Sequence, residues 1–156
     1  MAEERPINAA WSYVADTVMG GVSTGTVAAM THNGEAAHRL RGRVSLDNNG
    51  GFIQMTTDLG GIDAQGWTGL RLTLAGNGQA YDIRLRTSDL RRPWQSYRAE
   101  RVVGKAWQVF DIPFTEFEGY RIDTPLDLAK LTRVGILAIG REFDADVAVA
   151  GIALYR

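Results

Sequence analysis

The stretch that decides the fold is Leu70-Arg71-Leu72-Thr73-Leu74, followed after Gly76-Asn77-Gly78 by Tyr81-Asp82-Ile83-Arg84-Leu85-Arg86-Thr87. Apolar residues fall at every second position, the period of a β-strand with one buried and one exposed face. Leu70, Leu72 and Leu74 share one face; Asp82, Arg84 and Arg86 share the face opposite Ile83 and Leu85. Outward from this core, the same reading gives strands over 8–14, 25–31, 37–46, 52–58, 96–103, 106–112, 133–140 and 146–155. Turn residues separate them every dozen or so positions, the layout of a two-sheet sandwich or barrel. One segment reads as helical: Thr124 as N-cap, Pro125 at the first helical position and Asp127 two residues on predict a short helix around 125–131. The expected fold is therefore all-β, two antiparallel sheets with one short helix. Residues 1–7 are expected as an N-terminal tail and 8–156 as a single domain, its last strand paired inside a sheet.

Composition bounds the chemistry. The chain has 156 residues, a size that fits one domain. It has no Cys, which excludes disulfide staples, thiolate metal sites and thiol nucleophiles. Seventeen Lys and Arg against eighteen Asp and Glu leave no basic excess for nucleic-acid backbones. No apolar run approaches the roughly 18 residues of a membrane span, and Glu3 and Glu4 stand where a signal peptide carries bases. These features give the expectation of a soluble protein of the bacterial cytoplasm. Glycine is abundant, 18 residues, and clusters at Gly20-Gly21, Gly50-Gly51 and Gly60-Gly61, which suits turns with positive φ.

Candidate chemistry is sparse. Gly21-Val22-Ser23-Thr24-Gly25 matches a nucleophile elbow in letters. The elbow, however, needs a strand that hands over to a helix, and residues 26–31 read as another strand, so Ser23 belongs in a turn. His32 stands before the hairpin signal Asn33-Gly34, and His38 sits in an alternating strand; neither has metal-ligand spacing. No catalytic residue, metal ligand or cofactor is assigned. The face carrying Arg84 and Arg86 continues into Arg91-Arg92-Pro93-Trp94-Gln95-Ser96-Tyr97. Guanidinium groups beside flat rings suit a carboxylate, a sugar or a peptide strand, so Arg84, Arg86, Trp94 and Tyr97 are candidate binding residues.

Four stretches carry a family resemblance: Trp11 with Asp16-Thr17-Val18-Met19-Gly20-Gly21-Val22-Ser23; Gly42-Arg43-Val44-Ser45-Leu46-Asp47-Asn48-Asn49-Gly50-Gly51-Phe52; Tyr81–Thr87; and Trp107-Gln108-Val109-Phe110-Asp111-Ile112-Pro113-Phe114. In this order and spacing the chain resembles the CIA30 family, the complex I intermediate-associated protein 30 domain. The resemblance implies a galactose-binding-like jelly roll and a binding role without catalysis. It implies a protein partner among assembly intermediates of NADH:ubiquinone oxidoreductase; a carbohydrate or small-ligand module is the alternative. The motif positions Asp16, Ser23, Asn48 and Asn49 join the candidate binding residues, with Gly20, Gly21, Gly50 and Gly51 as structural turns. Physically, Asp16 or Ser23 is expected to accept N–H groups of residues 48–51 and to fix both loops beside one rim.

Overall fold

The computed structural model describes residues 3–156 apart from Asn33; the side chains of Val18, Met19, Glu35 and Asn49 also lie outside the description. Twelve strands occur among the described residues: β1 (Glu4–Pro6), β2 (Ser12–Ala15), β3 (Thr24–His32), β4 (Glu35–Val44), β5 (Phe52–Ile62), β6 (Gly69–Ala75), β7 (Ala80–Thr87), β8 (Ser96–Val102), β9 (Gln108–Pro113), β10 (Glu118–Tyr120), β11 (Leu131–Ile139) and β12 (Phe143–Tyr155). They form two antiparallel sheets. One runs β3-β4-β12-β6-β9, with β1 also on β12; the other runs β10-β8-β7-β11-β5-β2.

The deciding stretch behaves as its alternation requires. Leu70, Leu72 and Leu74 from β6 and Tyr81, Ile83 and Leu85 from β7 are all buried between the sheets. Val134 and Ile136 of β11, Ile53 and Met55 of β5 and Val147 and Val149 of β12 join them. Each such side chain contributes roughly 1.5–3 kcal/mol by leaving water. On the outer face of β6, Arg71 stands opposite Asp111 of β9 and donates Nε and Nη2 to its two carboxylate oxygens at 2.7 and 2.9 Å. Although β6 and β7 are consecutive, they lie in different sheets. The Gly76–Gly78 connection therefore crosses between layers rather than closing a hairpin.

Two expectations are corrected. The helix around 125–131 is only a 3-10 turn at Leu128–Lys130, capped by Asp127, whose carboxylate accepts from the Ala129 N–H at 3.0 Å. Thr124 caps nothing there; its carbonyl accepts the Tyr97 hydroxyl at 2.6 Å. A single turn does not recover the cost of helix nucleation. The segment's carbonyls serve neighbours instead: Leu128 accepts from the Ala64 N–H at 2.7 Å and Lys130 from the Ser88 N–H at 3.1 Å. The residues expected as a tail include β1, whose Glu4, Arg5 and Pro6 pair with Tyr155, Leu154 and Ala153. Strand β4 reaches only as far as Val149 along β12, so β1 covers an edge that would otherwise stay open. The last strand, β12, runs between β4 and β6, as expected of a paired C-terminal strand.

Candidate functional site

Two arrangements bring charged groups together on one side of the molecule. The first is a buried carboxylate. The chain leaves β2 through a 3-10 turn at Asp16–Met19 and reaches β3 through Gly20 to Ser23. Asp16 is fully buried (0 % exposed). Its Oδ1 accepts the Ser23 N–H at 3.1 Å, and its Oδ2 accepts the Ser23 hydroxyl at 2.5 Å and the N–H groups of Gly51 and Phe52 at 2.6 and 3.3 Å. The Ser23 Oγ in turn accepts from the Ser45 N–H at 2.8 Å. Burial alone would raise the Asp16 pKa, but the Ser23 hydroxyl and the N–H groups of Gly51, Ser23 and Phe52 outweigh it and hold the carboxyl below its ordinary range.

The glycines of both motifs make room for this carboxylate. A Cβ on Gly21 would lie 2.5 Å from Asp16 Cγ, and one on Gly50 would lie 2.4 Å from Asp16 Oδ2. One buried acid thus ties the 16–23 loop to the 45–52 loop, forming a latch between them. With its proton committed to Asp16 and its backbone outside any strand-to-helix turn, Ser23 is a structural serine here. Asn48 stands exposed in the adjacent turn at φ 56°, a left-handed conformation that asparagine tolerates. The Asn49 side chain lies outside the described residues.

The second arrangement is a groove of about 980 Å³ along the outer face of the β10-β8-β7-β11-β5-β2 sheet. It has two unlike ends. Val14, Leu46, Phe52, Leu137 and Ile139 line one end, beside Gly50 and Gly51 of the latch. Arg84, Arg86, Arg133, Arg121, Tyr120 and Trp94 line the other. Cross-strand register explains the grouping, because residues directly opposite share a face. Arg133 of β11 stands between Asp58 of β5 and Arg86 of β7, and Gly135 between Thr56 and Arg84.

Within the charged end, Asp82 is the counter-ion. It is buried, its Oδ2 accepts Arg84 Nη2 at 2.9 Å, and its Oδ1 accepts Arg98 Nη2 at 3.2 Å. Arg84, Arg121 and Arg98 lie 4.6, 5.4 and 6.0 Å from the Tyr120 ring centre. The Arg121 guanidinium at its hydroxyl, aided by Arg84 and Arg98, lowers the Tyr120 pKa despite partial burial. Arg86 shapes the wall: its Nη1 donates to the carbonyls of Arg92, Pro93 and Gln95, the last at 2.6 Å. This holds the loop that presents Trp94, whose side chain is half exposed. Burial first, and the like charge of Arg133 second, push the Arg86 pKa down; arginine nevertheless stays protonated at neutral pH. Among the described residues, no group of three or more His, Asp or Glu side chains could hold a metal ion.

Of the residues expected from the sequence, Arg84, Arg86 and Trp94 meet in the groove. Asp16 and Ser23 sit beneath its apolar end, sealed from solvent. Tyr97 does not join them. It pairs across from Leu85, on the core face of β8, and is buried there with its hydroxyl on the Thr124 carbonyl. Sequence reading missed Tyr120, Arg121 and Arg133. The alternation of Arg133, Gly135 and Leu137 in β11 carried a signal for Arg133; the short β10 carried none for Tyr120.

The two antiparallel sheets make a jelly-roll β-sandwich. The chain matches the family described as complex I intermediate-associated protein 30 (CIA30) over residues 3–148 and belongs to that family. No curated protein matches it in sequence. In three dimensions it is similar to a family 11 carbohydrate-binding module from Clostridium thermocellum solved in complex with a β-1,3-1,4-mixed-linked tetrasaccharide. The TM-score is 0.76 at 14% identity, covering 97% of this chain and 94% of that one. It is also similar to the family 30 carbohydrate-binding module of a cellulosomal cellulase from the same organism, with a TM-score of 0.70 at 15% identity, covering 99% and 96%. At such identities the likeness concerns the fold. Among the described residues no helix is long and apolar enough to cross a membrane.

Proposed function

We propose that this chain is a non-catalytic binding domain whose groove takes part of a protein partner, the partner being an assembly intermediate of respiratory complex I. The observation that carries this reading is the division of the groove into a cationic end and an apolar end. A polypeptide offers both kinds of side chain within a short span. A sugar hydroxyl turned toward Val14, Leu46, Phe52, Leu137 and Ile139 would give up water without gaining a partner, which is costly. Membership of the CIA30 family supports the identity of the partner. The test is capture from the native host with the intact protein and with Leu46→Asp, alongside complex I levels in a deletion strain. Recovery of complex I subunits by the intact protein alone, with reduced complex I on deletion, is the expected result. No complex I subunit in the capture, together with normal complex I in the deletion strain, would sink the reading.

A second reading, a carbohydrate or small-ligand module, is favoured by the half-exposed Trp94 ring and the nearby Tyr120. Flat faces of this kind support sugar rings. On that reading a glycan array probed with the intact protein returns binders, and Trp94→Ala loses them with thermal stability unchanged.

A further inference from the structure

The charged end of the groove is not electrically closed. Asp82 is shared by Arg84 and Arg98, Glu100 adds a second carboxylate 3.8 Å from Arg98, and Asp58 meets Arg133 at 3.2 Å. That last pair is weak, because the Asp58 side chain is 78 % exposed. Arg86 and Arg121 take part in no ion pair with a carboxylate among the described residues. Arg86 uses Nη1 on three backbone carbonyls, while its Nε and Nη2 meet no acceptor among the described residues. Arg121 is held at φ 56°, a backbone conformation that L side chains avoid, and its guanidinium sits over Tyr120. Strained residues of this kind concentrate where a chain binds something. Arg86 and Arg133 lie side by side in register, so two like charges face the same space.

We propose that Arg86, Arg133 and Arg121 form a carboxylate site, and that the groove's occupant is an extended acidic segment of the partner polypeptide. This rests on the protein-partner reading above and adds the chemistry of what is read. A guanidinium fork matches a carboxylate in plane and spacing, and charge-assisted bonds of this type are the strong ones. The apolar end sets the second requirement. From Arg133 to Ile139 the floor strand β11 advances six residues, roughly 20 Å at about 3.3 Å each. An extended segment lying along it would place an Asp or Glu at the arginines and an aliphatic side chain about six residues away at Leu46 and Ile139. An even spacing keeps both side chains on the face turned to the groove.

The probe is a blocked synthetic peptide of extended character with Glu and Leu at that spacing, titrated calorimetrically into the full chain. The controls are the same peptide with Glu→Gln, the same peptide with Leu→Ser, and a neutral mixed-linked β-glucan oligosaccharide. Arg86→Ala could disturb the 91–95 loop, so the protein variants are Arg133→Gln and Arg121→Gln, with Leu46→Ser at the other end. The Glu peptide should bind, and its affinity should fall as salt rises. The Glu→Gln peptide and the two arginine variants should each bind about tenfold or more weakly, the worth of one charge-assisted bond. Leu46→Ser should weaken binding while keeping the salt dependence. Equal binding of the Glu and Gln peptides, or no peptide binding at all, would overturn the carboxylate site. If complex I subunits are captured through the groove and Arg133→Gln leaves that capture intact, the partner reading stands and the carboxylate site falls. Binding of the oligosaccharide alone, with no peptide and no complex I subunit, removes both.

Discussion

Asp16 and Arg86 serve opposite ends of the same groove, each charge holding a loop at its edge, yet they are finished differently. Asp16 is fully buried, and every polar atom it offers is met from within the chain. Arg86 is only partly covered, bonds backbone carbonyls with one nitrogen and keeps the rest of its fork toward the groove. A charge satisfied internally builds structure; a charge left part-satisfied on a concave face is available to a ligand. Substitutions at the two places should therefore separate stability from binding.

The largest effect is expected at the carboxylate. Asp16→Asn presents an NH2 group to N–H donors and strands buried polar groups, which should cost about 3–5 kcal/mol in urea unfolding. A loss below about 1 kcal/mol would show that the latch is dispensable. The same group sets the acid limb. Its folded pKa is depressed, so its stabilisation is present above the unfolded carboxylate value of about 3.9 and disappears as pH falls through the lower folded value. The wild-type chain should lose stability on acidification below about pH 4, and the Asp16→Asn variant should lose less over the same window.

Next come the glycines, which divide the latch itself. Gly50→Ala forces a Cβ to 2.4 Å from Asp16 Oδ2 and should cost about 2–3 kcal/mol. Gly20→Ala meets nothing within 4 Å and suffers only from its φ of 87°, about 1 kcal/mol. Reversal of that order in thermal melts would move the role of the motif from close approach to turn conformation. In the groove the stability effects shrink. Arg86→Ala should cost about 1–2 kcal/mol through its carbonyl bonds and should accelerate proteolysis in the 91–95 loop. The exposed Arg133→Gln should stay within about 0.5 kcal/mol. If Arg133→Gln unfolded the chain instead, the contrast between latch and groove would be wrong.

Much of the sandwich was legible in the sequence because alternation is a local signal. Most of the longer strands fall where period-2 runs placed them, to within a few residues. The glycine doublets were legible locally only as turns; the link between them through Asp16 came from the family resemblance, and its physical basis is that glycine lets backbone approach a buried carboxylate closely. The misses have physical causes too. Tyr97 alternates correctly with Ser96 and Arg98, but which of the two sets faces the core depends on register with β7; a slip of one residue exchanges the faces. The 124–131 segment has genuine helix-start residues, yet its carbonyls are claimed by Ala64 and Ser88 from other parts of the chain. Strands β1 and β10 have three residues each, too few to show a period.

By itself, then, the sequence determined that strands would have one apolar and one polar face, that thiol chemistry was absent, and that the glycine doublets would stand in turns. Those properties follow from side-chain chemistry and spacing along a single segment. Only the tertiary structure decided that β6 and β7 would part into different sheets, that Asp82 would be buried between Arg84 and Arg98, and that Arg133 and Tyr120 would join Arg86 and Trp94. Each of these depends on pairings between segments far apart in the chain, chosen by how two sheets best cover one core. The groove is a by-product of that choice, which is why no single segment announces it.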